Sequence, residues 1–439
     1  MYRYRRIRFG LQSVFACLIF VGQAVSLASE ALGPPASDPL TLDTAVQIAM
    51  DNNPGLAAKR AQAQAMAAIP DQAGALPDPM LMLNAMNVPM DTYALDQEPM
   101  TQMQVGLSQA FPFPGKLRLR EAAAQEMALA AGADVEEAQL QLIAGVKATW
   151  WRLHFLDRAL EIISRNQQLL RQFVKIAETK YKVGKGLQQD VLLAQVELSK
   201  LLDRQVQLRQ KRRITEAQLN ALLNRPTETA VRLPLITDIQ LKDVMLITQL
   251  TALAAEHRPL LARQRNQVKS ARARLDLANK GYYPDFKLSA AYGKRQLKRP
   301  DGSEVPDFAT VMLSLNLPLY AGSKQSQAIN QRSAELIKQQ EGFQSVADQV
   351  AATISRYRAD YTSASERVGL FKLGIIPQAQ QTVASMLAGY QVNKVDFLNL
   401  VRAQITLYNH ETQYWMAVSD AQRALAQLTA AIGKETIHE

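Results

Sequence analysis

From residue 101 to 108 apolar and polar side chains alternate. Met103, Val105 and Leu107 fall on one face of an extended segment, and Gln102, Gln104, Gly106 and Ser108 on the other. The same period places Phe286, Leu288, Ala290 and Tyr292 opposite Asp285, Lys287, Ser289 and Ala291, and Val311, Leu313, Leu315 and Leu317 opposite Met312, Ser314 and Asn316. Four strands are predicted, near 79–88, 100–110, 284–293 and 308–317. Elsewhere the period becomes helical. Leu153, Leu156, Leu160, Ile163, Leu170, Val174, Ala177 and Tyr181 recur three or four apart, broken only at Gln167, as in a coiled-coil seam. Residues 116–181 hold no Pro, and neither does the stretch from Lys324 to Pro377, so each predicts a very long helix. At 1.5 Å per residue the first spans roughly 100 Å.

The pattern occurs twice. Asn53-Pro54 matches Arg258-Pro259, Pro77-Asp78-Pro79 matches Pro284-Asp285-Phe286, and Ser108–Pro112 matches Ser314–Pro318. Tyr181-Lys182-Val183 matches Tyr390-Gln391-Val392, and Ala194-Gln195 matches Ala403-Gln404. Matches in one order imply a tandem duplication. The expected units are residues 41–230 and 245–432, joined by a linker at 231–244. Each holds a first helix (41–73 and 245–280), two strands, a long helix, a tip turn (182–189 and 391–398) and a return helix. The fold class is mainly α with a small β part.

Residues 1–28 read as a signal peptide: Arg3, Arg5, Arg6 and Arg8, an apolar run from Leu11 to Leu27, then Ser26-Leu27-Ala28. An extended segment at 29–40 and a tail at 433–439 complete the division. Losing the four Arg takes the formal charge from +10 to about +6, which gives no reason to expect nucleic acid. Cys17 lies in the removed segment, so disulfides and thiolate sites are not expected. Strands of this length, apolar on one face, suit a lipid-facing barrel, and also a half-buried soluble sheet. Export, duplication and the adjoining helices favour the barrel. Four strands are too few to close one, so several copies must contribute.

The tip motif resembles that of the TolC family of outer-membrane efflux proteins: Tyr181-Lys-Val-Gly184, then Asp190 with Val191-Leu192-Leu193-Ala194-Gln195. The second copy runs Tyr390-Gln-Val-Asn393 to Asn399, then Leu400-Val401-Arg402-Ala403-Gln404. The resemblance covers essentially the whole chain after the signal. It implies a homotrimer whose twelve-stranded barrel, four strands from each chain, sits in outer-membrane lipid and continues into a long periplasmic α-helical coiled-coil barrel. It also implies a periplasmic membrane-fusion adaptor and an inner-membrane pump of RND type as partners, with passive conduction and no enzyme activity. The segments 76–89 and 109–117 resemble the heavy-metal branch, which makes metal cations the expected cargo. A duct for drugs or a type I secreted polypeptide keeps the same architecture. A periplasmic coiled-coil scaffold without a pore is the more distant alternative.

The expected sites follow. Gly184 and Gly186 allow the first tip to turn, and Asn393 replaces Gly184 in the second. Val183, Gly184, Lys185, Gly186, Leu187, Val392, Asn393, Lys394 and Asp396 form the tip turns and the adaptor contact. Asp190, Tyr390, Asn399 and Arg402 form the periplasmic aperture, with Asp190 expected to pair with Arg402 or Lys394 across the tips. Pro112, Gly115, Pro318 and Gly322 turn each strand into its helix. Methionines cluster from Met80 to Met103, and Met86 and Met90 are the metal-ligand candidates, because thioethers suit Cu(I). Met80 and Met82 share a strand face, and packing against lipid or protein is their expected role. His154 and His410 are expected on helix surfaces, and Trp150, Trp151 and Trp415 in packing. No nucleotide or hydrolase motif occurs, and no cofactor is expected.

Overall fold

The computed structural model describes residues 39–236 and 239–434. The signal peptide, most of the segment before residue 41, and residues 435–439 lie outside the described residues. The compact unit beginning at Leu40 carries every element below.

Each first helix is broken by a proline. The first becomes α1 (Leu42–Asn52), α2 (Pro54–Ala67) and α3 (Ile69–Gly74), where a single helix over 41–73 is expected. Pro54 has no N–H to donate and holds the preceding Asn53 extended, at φ −69° and ψ 118°. Asn53 then caps the new helix, its Oδ1 accepting from Leu56 N–H at 3.1 Å. The second copy breaks in the same way into two helices, with Arg258 at φ −71° and ψ 117° before Pro259. The break is itself duplicated.

The strands are β1 (Met80–Met86) and β2 (Gln102–Phe111), leading into α4 (Lys116–Lys182) and the return helix α5 (Gln188–Leu222). The second copy supplies α6 (Ile247–His257), α7 (Pro259–Asn279), β3 (Phe286–Lys294) and β4 (Phe308–Leu315). There follow a π turn (Ala321–Gln325), α8 (Ser326–Leu370), a second π turn (Phe371–Ile375), α9 (Ile376–Gln391) and α10 (Phe397–Ile432). Pro377 lies within the first turn of α9 and ends nothing. Among the described residues no helix is long and apolar enough to cross a membrane.

All four strands join one antiparallel sheet in the order β1-β2-β3-β4, so the central β2–β3 pair unites the two copies. At its base Lys116 Nζ reaches Asp285 at 2.8 Å and the carbonyl of Tyr283 at 2.9 Å. Phe113 N–H also donates to Asp285, and its ring stacks on Tyr283 with centroids 4.5 Å apart. Turn and sheet are thereby locked together. Gly115, at φ 92°, makes the strand-to-helix turn as expected. Gly322 does not, because it lies inside the π turn without a left-handed backbone.

Below the sheet, the seam of α4 packs against α5 and α10 through Leu156, Ile163, Leu170, Ala177, Leu208 and Leu400. Gln167 is buried within that stripe and donates to Leu201 O at 3.3 Å. The predicted linker is not free chain. Val231, Leu233, Ile236, Ile239 and Leu241 pack against the middle of the helical layer. His154 corrects the expectation that it lies on a helix surface. His154 is only 3% exposed, stacked on Trp150 and edged by Trp151 and Trp415. Burial, helped by the Arg158 charge, lowers its pKa to about 4.

Candidate functional site

Two regions hold the expected functional residues: the faces of the sheet, and the tips where the long helices reverse.

The pairing register fixes which side chains share a face, since directly opposed residues point the same way. On one face lie Leu81, Leu83, Val105, Leu107, Leu288, Val311 and Leu313, all exposed and apolar. On the other lie Asn84, Gln102, Gln104, Ser108, Ser289, Thr310 and Ser314, with Gly106, Ala291 and Gly293 between them. This polar face is the more enclosed along β2 and β3. A Cβ on Gly106 would meet Ala290 O and Ala291 Cβ at 2.8 Å, so the close approach of β2 and β3 demands glycine there. Met80, Met82 and Met86 all fall on the polar face, with Met312. Met80 and Met82 share a strand face, as expected, but it is the polar one, away from the apolar face expected to meet lipid. Met103 is the one on the apolar face, and Met90 lies in the loop between β1 and β2.

The outer strands β1 and β4 each have one unpaired edge. A sheet with an apolar outer face and two open edges is the segment from which a larger barrel is closed.

Both tips fold by one bonding scheme. Gly184 N–H donates to Tyr181 O at 3.0 Å and Lys185 N–H to Lys180 O at 2.9 Å. In the second tip Asn393 N–H donates to Tyr390 O at 3.2 Å and Lys394 N–H to Gly389 O at 2.8 Å. These are helix-ending bonds around a left-handed residue: Gly184 stands at φ 70° and Asn393 at φ 61°. Gly186, expected to share that role, does not adopt positive φ. It is small for another reason: a Cβ there would meet Lys180 Cβ at 2.9 Å and Tyr181 N at 3.1 Å. At the matching place in the second tip the sizes are exchanged, since Gly389 makes room for Val395. Each tip fits one side chain into this crossing, from opposite ends of the turn.

Lys180 is the residue that sequence reasoning missed. It lies beside the motif rather than in it, and only its alignment with Gly389 marks it as different. Its Nζ donates to the carbonyl of Tyr390 and, at 2.6 Å, to Asn393 Oδ1, and it sits 4.1 Å from the centre of the Tyr390 ring. One ammonium thus ties the first tip to the second. The two tyrosines consequently differ, Tyr181 being 49% exposed and Tyr390 5%. Tyr181 leaves the seam predicted for it.

Asp190 is the third residue of α5, where the Leu187 N–H at the helix start stabilises its carboxylate. Burial outweighs this and, with Asp396 nearby, raises its pKa despite Lys180. Asp190 in turn adds to the burial that raises the pKa of the Tyr390 hydroxyl. Asp190, Tyr390, Asp396 and Lys180 therefore form one electrostatic cluster. Asn399 and Arg402 are exposed on α10, and among the described residues no ion pair within the chain joins Asp190 to Arg402 or Lys394. Nor do the described residues gather three or more His, Cys, Asp or Glu in a metal-holding group.

A sequence profile of the family described as outer membrane efflux protein matches residues 45–225 and 250–434, one match for each copy of the unit. No curated protein matches the chain. Among solved structures, the outer membrane protein VceC of Vibrio cholerae has a TM-score of 0.75 at 18% identity, over 90% of this chain and 96% of that one. CusC, described for its folding and transmembrane channel formation, has a TM-score of 0.77 at 15% identity, covering 90% and 92%. The open-state MtrE outer membrane channel of Neisseria gonorrhoeae has a TM-score of 0.72 at 16% identity, covering 90% and 89%. At such identities the likeness speaks for the fold alone.

Proposed function

The chain belongs to the outer membrane efflux protein family, and on that premise we propose that it is the passive exit duct of a tripartite pump, assembled as a homotrimer and carrying heavy-metal cations outward. The observation that carries the duct is the sheet: four strands, an apolar outer face, a polar inner face and two open edges. Three copies joined β4 to β1 give a twelve-stranded barrel in the outer membrane, with the polar face lining water. Below it, α4 extends about 100 Å into the periplasm. The tips, with Val183–Leu187 and Val392–Asp396 at their ends, are the aperture and the contact for a periplasmic adaptor, beyond which an inner-membrane pump supplies the energy. Nothing in this duct requires bond chemistry.

The metal cargo is supported by the segments 76–89 and 109–117 and their resemblance to the heavy-metal branch. Two measurements test the proposal. Purified protein in planar bilayers is expected to be trimeric and to give stepwise conductance; a monomer without conductance would leave only a scaffold. A deletion strain is expected to lose metal tolerance while keeping drug tolerance, and the reverse would reassign the cargo.

A further inference from the structure

We propose that the inner face of the sheet carries a thioether lining for soft monovalent cations, Cu(I) or Ag(I), formed by Met80, Met82 and Met86 on β1 and Met312 on β4. Met80 and Met82 are close enough to share one ion, and Met86 lies about 20 Å from Met80 along the strand. The inference rests on the duct reading above and deepens it, naming where a cation touches the wall and which class of cation the wall prefers.

The placement is the first argument. Alternation gives these strands a face for apolar side chains, and Leu81, Leu83, Val311 and Leu313 use it. The four methionines stand on the opposite face among Gln, Ser, Thr and glycine, where they contribute nothing to a lipid contact. Met80 and Met312 are 57% and 56% exposed, so they do not fill a core either. The second argument is spacing. Met80 and Met82 are two residues apart on one face, so their Cα atoms are separated by about 6.6 Å, within reach of one ion for two flexible thioether chains. Met80, Ser108, Ser289 and Met312 form a single row across the sheet, with a methionine at each end and serines between. When β4 of one copy pairs with β1 of the next, the strand bearing Met312 comes alongside the strand bearing the other three. Each seam of the barrel is then walled by sulfur.

The third argument is chemical. This face has no Asp, Glu, His or Cys at any paired position, and its one charged side chain, Lys287, is cationic. Hard and borderline cations find no anionic ligand there. Neutral thioethers discriminate for soft ions by polarisability, and because they leave the ion's charge uncompensated they release it readily, as a passage requires.

Silver nitrate is the probe, in chloride-free nitrate buffer, with the purified full-length trimer in detergent. Calorimetry is expected to show saturable Ag(I) binding that Zn(II) does not reproduce. The variant M80L/M82L/M86L/M312L, which keeps side-chain volume, is expected to lose it. M90L/M103L, altered in the loop and on the opposite face, is expected to keep it. Should the fourfold variant fail to assemble, the methionine methyl carbon resonances of the unmodified trimer decide the matter: those four should shift with Ag(I) and Met103 should not. No saturable binding, binding unchanged in the fourfold variant, or shifts confined to other methionines would each overturn the site. Conductance of the same trimer in potassium nitrate keeps the readings apart. A conducting trimer indifferent to Ag(I) refutes the thioether site alone, whereas protein without conductance refutes the duct.

Discussion

Replacing Lys180 by Met deletes the ammonium that links the tips while keeping an unbranched stem of similar length. The lost contacts are two charge-assisted hydrogen bonds, to the Tyr390 carbonyl and to Asn393 Oδ1, and the face of the Tyr390 ring at 4.1 Å. Hydrogen bonds to charged groups contribute about 1.5–3 kcal/mol each, and an exposed cation–π contact about 0.5–1 kcal/mol. These share one partly exposed group and do not add, so about 2 kcal/mol of local stability is the expected loss. At 1.4 kcal/mol per tenfold, the second tip should then open roughly 30 times more often. Amide hydrogen exchange reads this directly. Protection should fall by about that factor at Asn393 and Lys394, whose N–H groups bond within the turn. The seam from Leu153 to Leu170 should exchange as before. Unchanged protection at both tip amides would refute the strap; a uniform loss along α4 would show that Lys180 supports the helix rather than the tip.

Gly186→Val should destabilise the first tip by about 1–3 kcal/mol through overpacking against Lys180. Lys180→Gly loses the strap on its own, but the double variant should be less destabilised than the sum of the two single ones, since the second tip already uses Gly389 with Val395; a double-mutant cycle in thermal unfolding measures that coupling. His154, with a folded-state pKa of about 4 against 6.5, is neutral when buried. Its contribution, about 3 kcal/mol, is present above pH 6.5 and lost as pH falls to 4. Tryptophan fluorescence should accordingly quench with a midpoint near 4, and His154→Phe should abolish that transition. Asp190 has its folded pKa raised, so its tip loses stability as pH rises from the ordinary carboxylate range through that raised value. Asp190→Asn should flatten this dependence and raise exchange protection of the tip at neutral pH.

Much of this was legible because it depends on local rules. The alternation at Met103, Val105 and Leu107 names a strand wherever it pairs, and Gly184 and Asn393 are residues that tolerate left-handed backbone. What escaped depends on register and neighbours. The inward side of Met80 and Met82 follows from their opposition to Ser108 and Gly106, and a lone methionine-rich stretch does not reveal its partner strand. His154 looked like a surface residue because its burial is created by Trp415, more than 250 positions away. Pro54 and Pro259 were visible as a repeated pair, but the single helices expected over 41–73 and 245–280 ran straight through them. Lys180 has a purpose only beside Asn393, which the other tip turn carries.

The two π turns have a consequence for the lengths of the two copies. Between the strand-end glycine and the tip tyrosine the first copy spans 66 residues, Gly115 to Tyr181, and the second spans 68, Gly322 to Tyr390. A π turn holds one residue more than an α turn, and the second copy has two of them, at Ala321–Gln325 and Phe371–Ile375. The extra residues are swallowed where they occur, rather than being passed down the helix as a rotation of everything below. The two copies thus differ in length by as many residues as the second has π turns, and the fold accommodates that difference in the part of the chain that looks least able to accept it.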